Sequence, residues 1–127
     1  MDVRREDLDP APDCAVADLS FRSLRRAAAH IIGLTREGWG VFLVKPQFEW
    51  KDPPPEFHGV VRNPLALLSI LSDLVDSLRE EGVHFEGAVA SPLRGRRGNR
   101  EFLFRLRTGV NPRPGTVAST LEKLLLE

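Results

Sequence analysis

The sequence holds a single cysteine, Cys14, in 127 residues. That excludes a disulfide framework within the chain and any cysteine-cluster zinc site. It lacks a long apolar run: its uninterrupted hydrophobic stretches are only a few residues, too short to span a bilayer. It does not open on a basic segment followed by an apolar one, the pattern of a secretory signal, so a reducing cytoplasm is the expected setting. Its three histidines, His30, His58 and His84, have no metal-ligand spacing, and no metal site is expected. It also lacks net charge, with 18 cations balancing 18 acids. What remains is 42% hydrophobic and 28% charged, the composition of one soluble globular domain with a single core.

The neutral total hides a pattern. Residues 1–18 carry −4 and residues 19–36 carry +4, with no acid in the second block. Residues 37–93 carry −5, residues 94–113 carry +6, and the remainder carries −1. Two basic blocks on a neutral chain point to a local anionic partner rather than a generally basic surface. Fifteen of the 18 cations are arginine, the better bidentate ligand for phosphate.

Residues 1–12 are acidic and proline-punctuated and read as a loop. The short apolar run Cys14–Asp18 predicts a buried strand. Ser20 is a plausible cap for a helix from Phe21 to about Ile32, with Leu24, Ala28 and Ile31 on one face and Arg22, Arg25 and Arg26 on another. Gly40–Val44 is apolar on both faces, which predicts a strand covered on both sides. Three consecutive prolines stiffen the loop 49–59. Asn63 as cap, Pro64 at the first position and Gly82 at the end delimit the clearest helix. Its buried stripe is Leu67, Leu68, Leu71, Leu74, Val75 and Leu78. Val83–Ala90 and Glu101–Arg107 predict two strands joined as a hairpin, and Thr116–Leu126 a short terminal helix. The order predicts an α/β sheet with one antiparallel strand.

In open α/β sheets functional groups collect at the carboxyl ends of the strands. Asp18 and Lys45 end two predicted strands, and Glu101 begins the antiparallel one. If the first two strands are parallel neighbours, all three side chains share one rim.

Four ordered motifs carry a resemblance. Asp18-Leu19-Ser20-Phe21, Lys45-Pro46-Gln47-Phe48-Glu49, Gly59-Val60-Val61-Arg62-Asn63-Pro64, and Ser91-Pro92-Leu93 with Gly98-Asn99-Arg100-Glu101-Phe102-Leu103 resemble the C-terminal half of the TlyA family. These are hemolysin-A-like, FtsJ-type ribosomal RNA methyltransferases. The likeness spans roughly residues 4 to 107 and departs in small ways at Leu19 and Asn63. It implies half of a Rossmann-like methyltransferase sheet, with three parallel strands, one antiparallel strand and flanking helices. Residues 13–107 are then a partial FtsJ-like domain, and 108–127 a linker and C-terminal helix.

The resemblance implies S-adenosylmethionine as cofactor, ribosomal RNA as partner and the ribose 2′-hydroxyl as methyl acceptor. The last three members of the family's Lys-Asp-Lys-Glu tetrad fall on Asp18, Lys45 and Glu101. Lys45 would orient the hydroxyl and accept or steer its proton. Asp18 and Glu101 would position Lys45, with Asp18 also at the edge of the cofactor site.

Larger departures are the glycine-rich cofactor loop, the first tetrad lysine and the family's separate RNA-binding domain, none of which has a counterpart here. Gly38-Trp39-Gly40 precedes a strand, the wrong order for a ligand-cradling turn. The expectation is half of an enzyme, inactive alone, with the strand at 13–18 exposed as an edge that pairs with a second copy or a missing N-terminal half. The alternative is a non-catalytic RNA-binding or interaction module. Candidate phosphate contacts are Arg22, Arg25 and Arg26 on the first helix, Arg94, Arg96, Arg97 and Arg100 in the hairpin turn, and more weakly Arg62. Gly95-Arg96-Arg97-Gly98 copies the loop of KH domains but lies between strands, not helices, which argues against that fold. Neither apolar helix face is long or basic enough for a membrane-active segment.

Overall fold

The computed structural model describes residues 4, 7–19, 22–109 and 117–126, apart from the Arg96 side chain. Among these residues the elements run β1 (Ala15–Asp18), α1 (Ala27–Gly33), β2 (Trp39–Val44), α2 (Pro64–Glu80), β3 (Val83–Ala90), β4 (Phe102–Thr108) and α3 (Val117–Leu126). The four strands form one sheet in the order β1-β2-β4-β3. β1 pairs parallel with β2, and β4 runs antiparallel to both of its neighbours. Strands β1, β2 and β3 therefore point one way and β4 the other.

Local chemistry explains α2 best. The Asn63 side chain accepts the Leu65 N–H at 2.8 Å, and Pro64 occupies the first position, where its missing N–H costs nothing. Leu67, Ile70, Leu71, Leu74, Val75 and Leu78 are buried, and Gly82 takes φ +80° to leave the helix. Ile70 rather than Leu68 completes the stripe; Leu68 is only half-buried.

One face of the sheet carries the core. Phe42 and Val44 of β2, Phe102, Phe104 and Leu106 of β4, and Val83 of β3 are fully buried. They pack with Ala28 and Ile32 of α1, the α2 stripe, and Leu121 and Leu125 of α3. At about 2 kcal/mol for each large apolar side chain removed from water, this layer is the main stabilising contribution.

The opposite face overturns an expectation. Trp39, Val41 and Leu43 of β2 are only half-buried and stand outside the core cluster, as do Val16 of β1 and Val89 of β3. β2 is apolar on both faces, yet among the described residues the helices cover one.

Two other expectations change. β1 is not buried: it lies at the sheet edge, its burial alternates, and Val16 is 83% exposed. The first helix starts at Ala27, not Phe21, because Arg26 takes φ +68°, ψ −38°, a conformation no helix contains. Arg22 and Arg25 thus precede α1 rather than riding on it. Ser20 and Phe21 lie outside the described residues.

Candidate active site

The parallel register sets Asp18, the last residue of β1, beside Leu43 of β2. Lys45 lies two residues beyond Leu43, so it emerges on the same face and can reach back across. Its Nζ donates to Asp18 Oδ1 at 2.8 Å. The Lys45 side chain is 16% exposed and that of Asp18 56%, so the pair lies at a wet rim with the lysine tucked behind the carboxylate. This is the convergence that the strand ends predict.

Glu101 reaches the same rim differently. β4 pairs Phe102 with Val44, the last pair of that register, so Glu101 leads into β4 at the end of the sheet where Lys45 leaves β2. Its carboxylate, however, sits against Gly95: a Cβ at that position would lie 2.1 Å from Glu101 Oε2. A side chain at position 95 would have to displace the Glu101 carboxylate from that space. Among the described residues no hydrogen bond or ion pair joins Glu101 to Lys45, so Asp18 and Lys45 touch and Glu101 stands beside them.

Two residues that the sequence reading left without a role build the walls of this rim. Glu49, 3% exposed, follows the 3-10 turn Pro46–Phe48 that Lys45 leads into. Its Oε1 accepts Ser23 Oγ–H at 2.5 Å and the Arg25 guanidinium at 3.0 Å; its Oε2 accepts the Leu24 N–H at 2.8 Å. It thereby ties the segment after β1 to the segment after β2. Burial lifts the Glu49 carboxyl above the ordinary carboxylate range, outweighing the Ser23, Leu24 and Arg25 contacts that pull it down. Asn99, 4% exposed, accepts the Val61 N–H at 3.0 Å and donates to the Gly59 carbonyl at 2.8 Å. It clamps the Gly59–Val61 segment onto the β3–β4 connection. The available signal was composition: a carboxylate and an amide embedded in otherwise apolar motifs.

The candidate phosphate contacts divide. Arg25 is not a free surface cation: it is 15% exposed and paired with Glu49 at 3.0 Å. Arg97 donates to the His58 carbonyl at 2.8 Å. Arg94 reaches toward the Gly98 carbonyl at 3.4 Å. Arg100 lies over the Phe102 ring at 5.3 Å and reaches the Leu124 carbonyl. The Arg96 side chain lies outside the described residues. Arg62 is exposed and borders a small cavity of about 180 Å³ with Trp50 and Phe57. Arg22 and Arg26 are exposed, and among the described residues neither guanidinium has a hydrogen-bond or ion-pair partner.

The chain's one Gly-x-Gly does not serve a ligand. Gly38 takes φ +73° in the turn into β2, and its N–H is held by Thr35 Oγ1 at 3.0 Å. A Cβ on Gly40 would lie 2.9 Å from the Ala15 carbonyl, so that glycine lets β1 and β2 approach. Among the described residues no glycine-rich cradle follows a strand. The residues present do not make an S-adenosylmethionine site by themselves.

Fold and rim together define a mixed α/β domain with a charged pair at the carboxyl ends of parallel strands, and comparison with known proteins narrows the class. No family model matches the chain. Over 98 residues it is 42% identical to the 16S/23S rRNA (cytidine-2′-O)-methyltransferase TlyA of Mycobacterium tuberculosis, covering 76% of this chain and 36% of that protein. It is 30% identical over 104 residues to hemolysin A of Brachyspira hyodysenteriae, covering 80% and 43%. It is 35% identical over 96 residues to YqxC of Bacillus subtilis, a candidate rRNA methyltransferase, covering 75% and 34%. The likeness to the TlyA, hemolysin A and YqxC proteins is a partial match: the chain spans 34–43% of the length of these relatives.

Solved structures agree on the fold. Hemolysin-like proteins from Lactococcus lactis and Streptococcus thermophilus superpose with a TM-score of 0.77 at 24% identity. They cover 96% and 97% of this chain, and the chain covers 61% and 46% of theirs. No described helix is long and apolar enough to cross a membrane.

Proposed function

We propose that this chain carries the substrate side of an rRNA ribose 2′-O-methyltransferase on part of a Rossmann-like sheet. The observation that supports the reading most is the Lys45–Asp18 pair at the carboxyl ends of β1 and β2, with Glu101 alongside. In this class S-adenosylmethionine supplies the methyl group, and among the described residues no glycine-rich cradle for it follows a strand.

The chain's own residues act on the acceptor. A lysine ammonium offers three donors and no acceptor. One donor goes to Asp18, and one of the others can hold the oxygen of a ribose hydroxyl at the rim, leaving that oxygen's second lone pair free for attack. Held this way, the hydroxyl is aligned for attack, and alignment contributes at least as much as proton removal. Glu49 keeps the segments after β1 and β2 together, so it preserves the Asp18–Lys45 spacing without touching substrate.

A second reading is a non-catalytic RNA-binding or interaction module. The sheet face left uncovered among the described residues favours it. One experiment separates the two. In a chimera, residues 4–107 of this chain replace the matching stretch of the mycobacterial TlyA, and methyl transfer to ribosomal RNA is followed by mass spectrometry of nucleosides. The proposal expects 2′-O-methylcytidine at a rate within tenfold of the parent. A soluble chimera that binds RNA and cofactor yet transfers no methyl group supports the module.

A further inference from the structure

Residues just before α1 and in its first turns line an open cavity of about 510 Å³: Arg22, Ser23, Arg25, Arg26, Ala27 and His30. Among the described residues its lining holds three arginines and a histidine and no acidic residue. We propose that this cavity seats a backbone phosphate of an RNA strand, with Arg22 and Arg26 as its ligands, His30 as a third polar contact and Arg25 as its floor. The inference rests on the RNA part of the proposed function but not on methyl transfer.

Four observations point here rather than to the second basic block. Arg22 and Arg26 are exposed guanidiniums without a partner among the described residues, whereas Arg94, Arg97 and Arg100 of the hairpin turn lie near backbone carbonyls. Arg105 and Arg107 are both held by Glu86, at 3.0 and 2.9 Å. The cavity floor is preset, because Glu49 fixes Arg25, Leu24 and Ser23 from behind. The wall is held in a conformation that L-residues avoid: Arg26 has φ +68°, and its N–H donates to Glu81 Oε1 at 2.5 Å. Such strain persists only where surrounding contacts impose it, and it gathers at binding sites.

Arg22→Ala and Arg26→Gly are the diagnostic changes. Glycine at position 26 accepts the positive φ, so the second variant removes the guanidinium without adding strain. Fluorescence anisotropy with a labelled single-stranded RNA is read across a salt series. The double variant is expected to weaken RNA binding at least tenfold and to reduce the slope of log affinity against log salt by about one, for the one phosphate no longer neutralised. Arg94→Ala with Arg97→Ala is expected to change affinity less than twofold. Circular dichroism melts confirm that the variants are folded.

Unchanged affinity and slope in the folded Arg22/Arg26 double variant overturn the proposal, as does an equal loss in the hairpin variant. Competition identifies the source of the phosphate. Displacement by an unlabelled oligoribonucleotide but not by equal inorganic phosphate supports a strand. Saturation by inorganic phosphate with no RNA binding overturns the RNA assignment. None of these readouts involves methyl transfer, so failure of the enzyme reading leaves a distinct signature.

Discussion

Lys45 donates to Asp18 across 2.8 Å, joining the ends of two strands whose residues are 27 apart in sequence. The contact exists because β1 and β2 are parallel neighbours and both side chains project from one face. With Asp18 56% exposed, the pair contributes little to stability, about 0–1 kcal/mol for a solvated ion pair. Lys45→Met is therefore expected to leave the urea midpoint within experimental scatter of wild type. A loss above about 2 kcal/mol would make the pair a structural brace instead.

The Arg25–Glu49 pair is the opposite case. Its side chains are 15% and 2% exposed, and removing one partner of such a pair strands the other charge in the interior. Glu49→Ala, which removes the shared acceptor of Ser23, the Leu24 N–H and Arg25, is expected to cost about 3 kcal/mol in urea unfolding. The pH dependence has a definite sign. Burial raises the folded carboxyl above its unfolded value, so the folded state holds the Glu49 proton to higher pH. This contribution is fully present below the unfolded pKa and is lost as pH rises toward the folded one. The stability advantage of wild type over Glu49→Ala should shrink as pH rises above the ordinary glutamate range; an advantage that grows would contradict the burial argument.

Asn99 links two segments 38 residues apart through its side-chain amide. Asn99→Ala removes the acceptor for the Val61 N–H and the donor for the Gly59 carbonyl. Leaving buried backbone groups unpaired costs about 1–3 kcal/mol each, so a loss of about 2–4 kcal/mol is expected. Hydrogen exchange at the Val61 amide should accelerate with it. Protection unchanged in the variant would show that Val61 is held by something else.

Val16 stands 83% exposed on β1, at a sheet edge that no other described strand pairs and beside the half-buried Val41. An apolar edge with free backbone groups associates with other strands, and a lysine there discourages pairing. Light scattering at increasing concentration is expected to show self-association of the wild-type chain that Val16→Lys suppresses. A wild-type monomer at all concentrations would remove the edge as an association surface.

Much of this arrangement is legible in the sequence because the signals are local. Asn63-Pro64 and Gly82 bracket α2 by cap and terminator chemistry, and the strand ends at Asp18 and Lys45 follow from apolar runs that stop at a charge. What is illegible depends on distant partners. The start of α1 is displaced by the positive φ of Arg26, which Glu81, 55 residues away, holds in place. β2 reads as covered on both sides because its residues are apolar, but whether anything lies over Val41 and Leu43 is a property of the rest of the fold. Arg25 reads as a surface cation until Glu49 is brought beneath it.

The account's central claim is that Lys45 orients the acceptor hydroxyl. The most direct measurement is single-turnover methyl transfer by the TlyA chimera carrying Lys45→Met, with RNA affinity measured in the same samples. The account predicts transfer reduced at least a thousandfold while RNA affinity stays within about threefold of the unsubstituted chimera. Transfer within tenfold of the unsubstituted chimera would contradict it, and would reduce the Lys45–Asp18 contact to a surface ion pair.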